Sequence, residues 1–241
     1  GDASFELVFD SFEEMFASLL YNDWATNTLK NGTSEKSFTL EKTFEPNGAG
    51  LFQRFPGSIV DSMSLDITAR EIVTGTFGFL AKEMTQDTAI LTNATYTDAN
   101  TNPVMNASSN FANLTMSNVS STPQVTQVSL NIANNLRQQS AVGQKANIGI
   151  GTGRFAVTGT LNAYFEDLEL MNLFLNNNST NLSFRLGGTS SQYYDFTLPN
   201  VKFSSGQTVA GGNDSDVIAE MEFQALFDST EDATLKIERS S

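Results

Sequence analysis

Alternating apolar and polar positions run through most of the chain, and they predict β-strands interrupted by two short helices. In residues 155–165, the side chains of Phe155, Val157, Leu161 and Phe165 fall on one face of a predicted strand. Residues 5–9 repeat this alternation near the start of the chain. Each predicted strand leads into an amphipathic segment whose apolar residues recur at i, i+3 and i+7, the spacing of a helix face. The chain therefore uses one strand-helix unit twice.

The segments that follow the two predicted helices match in number and order. Three alternating segments follow each helix, and they lie at residues 37–44, 59–68 and 71–81 in the first case and at residues 181–186, 193–203 and 217–227 in the second. A shared order over this length indicates a tandem duplication of one β-rich domain. We place the first copy in residues 1–95 and the second in residues 96–241, and the Thr-, Asn- and Ser-rich residues 85–127 are expected to link the halves across this boundary.

The second half contains a long predicted hairpin, residues 125–165, with a polar connection too long for a tight turn. A loop of this kind is either an interaction element or a disordered surface loop, and both interpretations stay open. The first half has no such hairpin before its strand, so we expect an equivalent one to precede Gly1 in a longer natural protein. The candidate interaction residues of the loop are Asn135, Arg137, Gln138, Gln139, Gln144 and Lys145.

Composition narrows the function classes. The chain has 241 residues, of which 39% are hydrophobic, and it contains neither cysteine nor histidine. This excludes disulfides, thiol catalysis, the commonest nucleophile-base pairs and most zinc sites, so we predict no cofactor and no metal. No run approaches the roughly 18 apolar residues of a membrane span. The 27 acidic residues outnumber the 13 basic ones, and this excess repels a phosphate backbone. The chain is not built to grip nucleic acid, although nucleic acid could slide past such a surface.

Three local motifs have simple structural interpretations. The glycine-rich residues 149–153 lack the helix that must follow a dinucleotide-binding loop, so we predict a bulge or bend in a long strand. Residues 213–216 lack the glutamate and flanking helices of a calcium-binding hand, which favours a turn before the next strand. Ser11 and Glu14 have the spacing of a capping box and predict the start of the first helix.

Several longer strings carry a family resemblance. IVTGTFGFLA, then NNLRQQ followed by IGIGTGRFAVTGTLNAYFED, and finally DFTLPNVKF followed by EMEFQALFD resemble the tail tube proteins of long-tailed, siphovirus-type bacteriophages. The similarity extends over residues 5–237, and the order and spacing of the strings are more specific than any one of them. The resemblance implies a mainly β protein with two short helices, built as two tandem copies of a β-sandwich or half-barrel domain with a flanking α-helix.

The resemblance also implies a function, that of the major tail tube protein of a phage. Copies would join edge to edge into rings, and stacked rings would form a hollow, acidic-lined tube that delivers DNA to the host. Because the chain holds two domains, we expect a homotrimeric ring with pseudo-sixfold symmetry, with a hexamer as the alternative. The protein would act mechanically and electrostatically in the virion tail, not as an enzyme, after synthesis in the cytoplasm of the bacterial host.

The implied partners follow from that assembly. They are other copies of the chain, the tape measure protein and DNA transiently in the lumen, and the tail terminator and tail-tip proteins, with no membrane. The residue 135–147 loop would reach the neighbouring ring. Polar partners of buried strand positions are the candidate lumen-facing residues, with an outer solvent face as the alternative: Ser64, Asp66, Thr68, Ser129 and Asn131.

Two other classes are compatible with parts of the sequence. A bacterial or extracellular β-sandwich adhesin or fibre subunit would also have Thr- and Asn-rich strands and an acidic surface. It would have a secretory leader and form a monomer or a fibre without a lumen. A carboxylate enzyme such as a glycosidase needs two acids about 5 to 10 Å apart across a groove, and no clustering in the sequence points to one.

Overall fold

The computed structural model describes residues 1–45 and 50–240, of which most form β-strands. The fold is 51% strand and 6% helix, which confirms a mainly β protein with two short helices. Neither helix is long and apolar enough to cross a membrane. The elements in chain order are β1 Asp2–Glu6, α1 Glu13–Leu20, β2 Thr28–Lys30, β3 Phe38–Phe44, β4 Leu51–Thr68, β5 Thr74–Leu80, β6 Thr85–Asp87, β7 Phe111–Met116, β8 Val125–Ala133, β9 Arg137–Gln139, β10 Gly149–Gly151, β11 Ala156–Tyr164, α2 Glu169–Leu175, β12 Ser179–Gly187, β13 Tyr193–Ala210, β14 Val217–Ala225 and β15 Lys236–Arg239.

One large antiparallel sheet holds most of these strands, in the order β1-β5-β4-β8-β11-β14-β13-β12-β7. The alternating sequence explains why it has two unlike faces. On β4, Met63, Leu65 and Ile67 are almost completely buried in the core. The polar side chains between them point to the opposite face, because successive residues of a strand alternate in direction.

The two predicted halves share one hydrophobic core instead of having one each. β4 of the first half pairs with β8 of the second, from Ser62 opposite Ala133 to Thr68 opposite Gln127. The buried ring of Phe16 on α1 lies 5.9 Å from that of Phe77 and 5.6 Å from that of Tyr194, so it contacts strands of both halves. A single cluster of buried side chains therefore runs through the molecule.

Strand pairing repeats between the halves. The first half has the order β3-β4-β5-β1, and the second has β12-β13-β14-β11. β6 pairs with β4 as β15 pairs with β13. β4 and β13 are both 18 residues long, and each shifts register against its neighbour, between Val60 and Ser62 in β4 and between Phe203 and Ser205 in β13. These two bulges provide a common reference point for comparing the halves.

Tyr194 ties the first helix to β13. Its hydroxyl donates a hydrogen bond to Glu13 Oε1 at 2.5 Å and accepts one from the Asp10 backbone N–H at 2.9 Å. Burial, followed by the adjacent Glu13 carboxylate, raises the pKa of Tyr194 well above its usual value. The phenol therefore stays protonated and can act as a donor to α1.

Some predicted boundaries were wrong. β4 begins at Leu51 and β13 continues to Ala210, so both are longer than the alternation indicated. The predicted hairpin 125–165 is divided, because β9 and β10 form a separate two-stranded ladder. Residues 149–151 are strand β10, not a bend in a longer strand, because Ile150 is buried with Leu136 in a small second core.

The other two local predictions had opposite outcomes. α1 begins at Glu13 with Phe12 at the N-cap and makes no side-chain cap hydrogen bond, so the predicted Ser11 capping box is wrong. The apolar face of α1 is nevertheless as predicted, with Phe16, Leu19 and Leu20 buried. The acidic residues 213–216 form a turn before β14, as predicted.

Candidate assembly surface

A continuous polar face crosses seven strands of the large sheet, from β1 through β5, β4, β8, β11 and β14 to β13. We use the name polar face for the side chains of these strands that point away from the core. Its central row consists of successive cross-strand partners: Glu6, Thr74, Asp66, Ser129, Thr160, Glu222 and Ser205. A second, parallel row is equally polar: Ser4, Thr76, Ser64, Asn131, Thr158, Gln224 and Lys202.

Side chains of the polar face hydrogen-bond to one another across the strands. The hydroxyls of Ser129 and Thr160 are 2.7 Å apart, and Gln207 Nε2 donates to Glu220 Oε2 at 2.6 Å. Asn162 Nδ2 donates to Gln127 Oε1 at 3.1 Å. These short side chains bond among themselves, so the surface is flat and wettable.

The structure brings the five candidate lumen-facing residues together. Ser64 lies opposite Asn131, and Asp66 lies opposite Ser129, across the β4–β8 pair. Thr68 follows on the same face of β4. The flanking members of the face were not predicted from the sequence as lumen-facing residues, and they include Glu6, Thr74, Thr160 and Glu222. The period of two was visible in their strands, but which strands are neighbours was not.

The polar face is predominantly acidic. The central row carries three carboxylates, on Glu6, Asp66 and Glu222, and Glu220 adds another beside it. Lys202 is the basic residue of the second row. A surface of this sign repels the phosphates of a nucleic acid and does not exchange their counterions.

One border of the polar face is an open strand edge on β13. The Phe165 N–H donates to the Val217 carbonyl, so Val217 bonds toward β11, and the next residue, Ile218, bonds toward β13. Val209, the partner of Ile218, therefore bonds β14 through its backbone groups. Gln207, two residues earlier, does the same. The N–H and C=O groups of Thr208 point to the other side, where no described strand pairs with this part of β13.

The opposite border is an open edge on β1. The Phe79 N–H donates to the Gly1 carbonyl and the Leu7 N–H donates to the Val73 carbonyl, both at 2.8 to 2.9 Å. Odd-numbered residues of β1 therefore bond β5, and Ser4 and Glu6 present their backbone groups outward. Within the described residues, β1 pairs with β5 alone. Exposed edges of this kind are templates for pairing with another chain.

The candidate interaction loop is an ordered projection that we call the arm, residues 134–155. Its base is fixed by Asn134, whose buried side chain donates to the carbonyls of Leu19 and Val60 at 2.8 and 3.0 Å. Leu136 is buried beside Ile150, whereas Val142 at the tip is fully exposed.

Charge distinguishes the arm from the rest of the protein. It contains Arg137, Lys145 and Arg154 but no acidic residue, in a chain of net charge −14. The six candidate residues lie on it as follows: Asn135 next to its base, Arg137, Gln138 and Gln139 on β9, and Gln144 and Lys145 near its tip. All six side chains are exposed and accessible to a partner.

Hydrogen bonds and ion pairs around the buried guanidinium of Arg54 fasten the segment between the halves to the outer hairpin of β3 and β4. Arg54 Nε donates to Glu41 Oε2 at 2.5 Å, and its Nη2 donates to the Ala89 carbonyl at 2.5 Å. The Tyr96 hydroxyl donates to Glu41 Oε1 at 2.7 Å. The hydrogen bonds from Tyr96 and Arg54 lower the pKa of Glu41. Residues 85–96 thus pack on the hairpin through charge, although their composition indicates a linker.

Open edges on both sides of a polar face are typical of one class of protein, a structural subunit whose strand edges can pair with another chain. Comparison with known families agrees with this class, since a family model described as phage tail tube protein matches residues 1–225. The chain belongs to the phage tail tube protein family and is a structural protein of a bacteriophage tail. No curated protein sequence matches it in a similarity search. Membership implies self-assembly into a tube together with other tail proteins.

Proposed function

We propose that this protein is the major tail tube protein of a long-tailed, siphovirus-type phage, and that its stacked rings form the channel for DNA delivery. The observation that carries the proposal is the acidic polar face bordered by two open edges, on β1 and β13. Ring closure would satisfy the outward backbone groups of both edges, whereas a monomer leaves them to water and to aggregation.

Three copies would suffice for one ring. The pairing order β3-β4-β5-β1 repeats as β12-β13-β14-β11, so each copy offers two similar wall segments. We interpret this repetition as the trace of a tandem duplication. A trimer would then have pseudo-sixfold symmetry. A hexamer of this chain would contain twice as many of these sheet segments in its ring wall as a trimer.

The polar face would line the lumen. Its hydroxyl and amide groups bond one another, and its carboxylates repel phosphates, so DNA and the tape measure protein would pass without a strong binding site. The helices α1 and α2 cover the opposite, apolar face of the wall and would lie toward the outside. The protein has no catalytic part in this proposal.

The arm would contact the next ring of the stack. It leaves the wall at one end of β8 and carries Arg137, Lys145 and Arg154, whereas the turns at the other end of the wall carry Glu166, Asp167, Asp214 and Asp216. Opposite charges at the two ends would favour head-to-tail stacking. The tail terminator and the tail-tip proteins would contact the last rings.

Negative-stain electron microscopy of the purified protein over a range of concentrations tests ring formation. We expect rings or tubes with a central hole, and end-on averages with three strong and six weaker features. Six equal features with six copies by mass would replace the trimer with a hexamer. Solid fibres or a persistent monomer would contradict the proposal and favour an adhesin or fibre subunit.

The assignment of the lumen can be tested by cysteine labelling, since the chain has no cysteine of its own. Asn131→Cys places a thiol on the polar face, and Glu14→Cys places one on the exposed side of α1. In preformed tubes, a small maleimide should modify both, and a bulky polyethylene-glycol maleimide should modify only the Glu14→Cys protein. Equal labelling by the bulky reagent would place the polar face outside.

The role of the arm has its own test. Replacing residues 140–147 by a two-residue turn removes the exposed tip and leaves the β9–β10 ladder in place. We expect rings that no longer stack into tubes. Unchanged tube length would show that the arm tip does not join rings.

A further inference from the structure

Aligning the two halves on their bulges shows which strand edge is paired in one half and open in the other. After its bulge, β4 pairs with β8 on the edge that faces away from β5. The Asn134 N–H donates to the Asp61 carbonyl, and the Ala69 N–H donates to the Thr126 carbonyl, at the two ends of this ladder. The equivalent edge of β13 is the open one at Thr208. Thr208 lies three residues after Ser205, as Leu65 lies three residues after Ser62.

The other edge of β8 shows the same contrast. β8 also pairs with β11, and β11 occupies the position in its half that β1 occupies in the first half. β1 has no such neighbour among the described residues. Two open edges, those of β1 and β13, could therefore each pair with a strand like β8.

The directions of the strands also indicate an additional strand between β13 of one copy and β1 of the next. The seven strands of the polar face are antiparallel throughout, so β1 and β13, as first and seventh, run in the same direction. If β13 of one copy paired directly with β1 of the next, the contact would be parallel. An eighth strand between them would make every pair in the ring antiparallel.

An apolar cleft marks where the chain before that strand would lie. It measures about 520 Å³ and is lined by Met15, Leu40, Phe55, Phe79 and Met84. Leu40 lies opposite Phe55, five residues before the bulge, and both are half-buried. The equivalent pair in the second half is Leu182 and Leu198, which are 1% and 0% exposed.

The second half covers this pair with the strand that precedes β8. β7 pairs with the outer edge of β12, with Met116 opposite Leu182. Within the described residues, the outer edge of β3 has no partner. Among the described residues, a segment with two strands like β7 and β8, which pair with other strands and not with each other, is thus the element missing from the cleft, from the β3 edge and from the β1 edge.

We infer that the first half binds a two-strand segment of the β7 and β8 type, with the sequence pattern of residues 111–133, at its open β3 and β1 edges. Its first strand pairs with β3 and fills the apolar cleft. Its second strand pairs with β1 and, in the ring, with β13 of the neighbouring copy. The contact with β13 rests on the proposed ring, whereas the contacts with β1, β3 and the cleft do not. The strand binds in the register of β8, with the counterpart of Leu130 opposite Thr208 as Leu130 is opposite Leu65.

A chain extended with a second copy of this segment tests the inference. Asp2 pairs with Gly78, the β5 partner of Ser62, as Thr160 pairs with Glu222, the β14 partner of Ser205, so Asp2 is the counterpart of Thr160. A second copy of residues 111–158 fused directly before Gly1 therefore restores the spacing of the second half. Amide hydrogen exchange is measured by NMR or mass spectrometry at concentrations where the protein is monomeric.

We expect exchange at Ser4 and Glu6 to slow by at least about tenfold in the extended monomer, because their outward N–H groups become hydrogen-bonded. Thr208 should stay fast until rings form. Gln127→Pro in the added copy is the matched control, because Gln127 pairs with Asn162 and Asn162 is the counterpart of Ser4, and it should restore fast exchange at Ser4. Fast exchange at Ser4 and Glu6 in the folded, extended chain overturns the inference.

The outcomes separate the added segment from the ring. Slow exchange at Ser4 and Glu6 with no ring at any concentration supports the segment and contradicts the proposed ring. Rings of the extended chain with fast exchange at Ser4 and Glu6 overturn the segment and leave the ring intact. If the extended chain does not fold, a synthetic peptide of residues 111–133 added to the original chain gives the same reading at Ser4 and Glu6.

Discussion

The substitution Thr208→Pro should weaken assembly at the open edge of β13 without lowering the stability of the fold. Among the described residues, no strand pairs with the edge of β13 at Thr208, and the Thr208 side chain is exposed. Gln207 and Val209 hold β13 to β14 on the other side. Proline is tolerated on an edge strand where its missing N–H would face solvent. We therefore expect the free energy of unfolding to change by no more than about 0.5 kcal/mol.

The effect on assembly should be much larger. A neighbouring strand would lose the hydrogen bond from residue 208, worth about 1 kcal/mol net, and one of its carbonyls would be left without a donor at a cost of about 1 to 2 kcal/mol. The sum of about 2 to 3 kcal/mol weakens each subunit contact roughly 30- to 140-fold. A ring contains such a contact between every two neighbours, so the whole ring should shift to much higher protein concentration.

Sedimentation velocity over a concentration series measures both effects, together with urea unfolding of the same samples. Thr208→Ala is the control, because it removes the side chain and keeps the backbone N–H. Assembly of Thr208→Pro at the same concentrations as Thr208→Ala would refute the role of this edge. A loss of monomer stability in Thr208→Pro would refute the hydrogen-bond direction that we assign to residue 208.

Three further predictions concern the fold. Phe16→Ala should lower the free energy of unfolding by about 3 to 5 kcal/mol in a single urea transition, and two separate transitions would contradict the shared core. A β-carbon at Gly159 would lie 2.5 Å from Phe223 Cζ, so Gly159→Val should cost about 1 to 3 kcal/mol, and an unchanged melting temperature would count against this packing. Because the pKa of Glu41 is lowered, its hold on Tyr96 is complete above the ordinary value of about 4.3 and is lost as pH falls through the lowered value. Pepsin should then cut residues 85–96 in acid, and Glu41→Gln should expose these residues to proteases at neutral pH. Resistance to cleavage under both conditions would argue against a stabilising contact between Glu41 and Tyr96.

The alternation of apolar and polar residues predicted the strands of the polar face well. It failed where contacts with distant segments determine the structure. Residues 51–58 contain Pro56 and Gly57, which are typical of a turn. In the structure they continue β4, and the positive φ of Gly57 and a register shift against β3 accommodate them. Arg54 is 6% exposed in this stretch because Glu41 and Asp87 reach it from other segments. A buried guanidinium cannot be inferred from local sequence when its partners lie far along the chain.

The polar face was predictable one strand at a time. Period two correctly placed Ser64 and Asp66 away from the core, and it did the same for Ser129 and Asn131. The alignment of these residues into one row depends on the register between β4 and β8, which tertiary packing sets. The three-residue strands β2, β6, β9 and β10 were missed because three residues are too few to show a period.

The length of β13 has a practical consequence for engineering. The strand runs from the outer hairpin to the polar face, and the bulge at residues 203–205 separates the two portions. The hairpin tip, residues 188–192, is closed by Gly187 opposite Tyr193 and by the Gly188 N–H donating to the Gln192 carbonyl. A foreign peptide grafted at this tip would leave the register of the wall unchanged. A self-assembled nanotube of this protein would then display the peptide at regular intervals along its length.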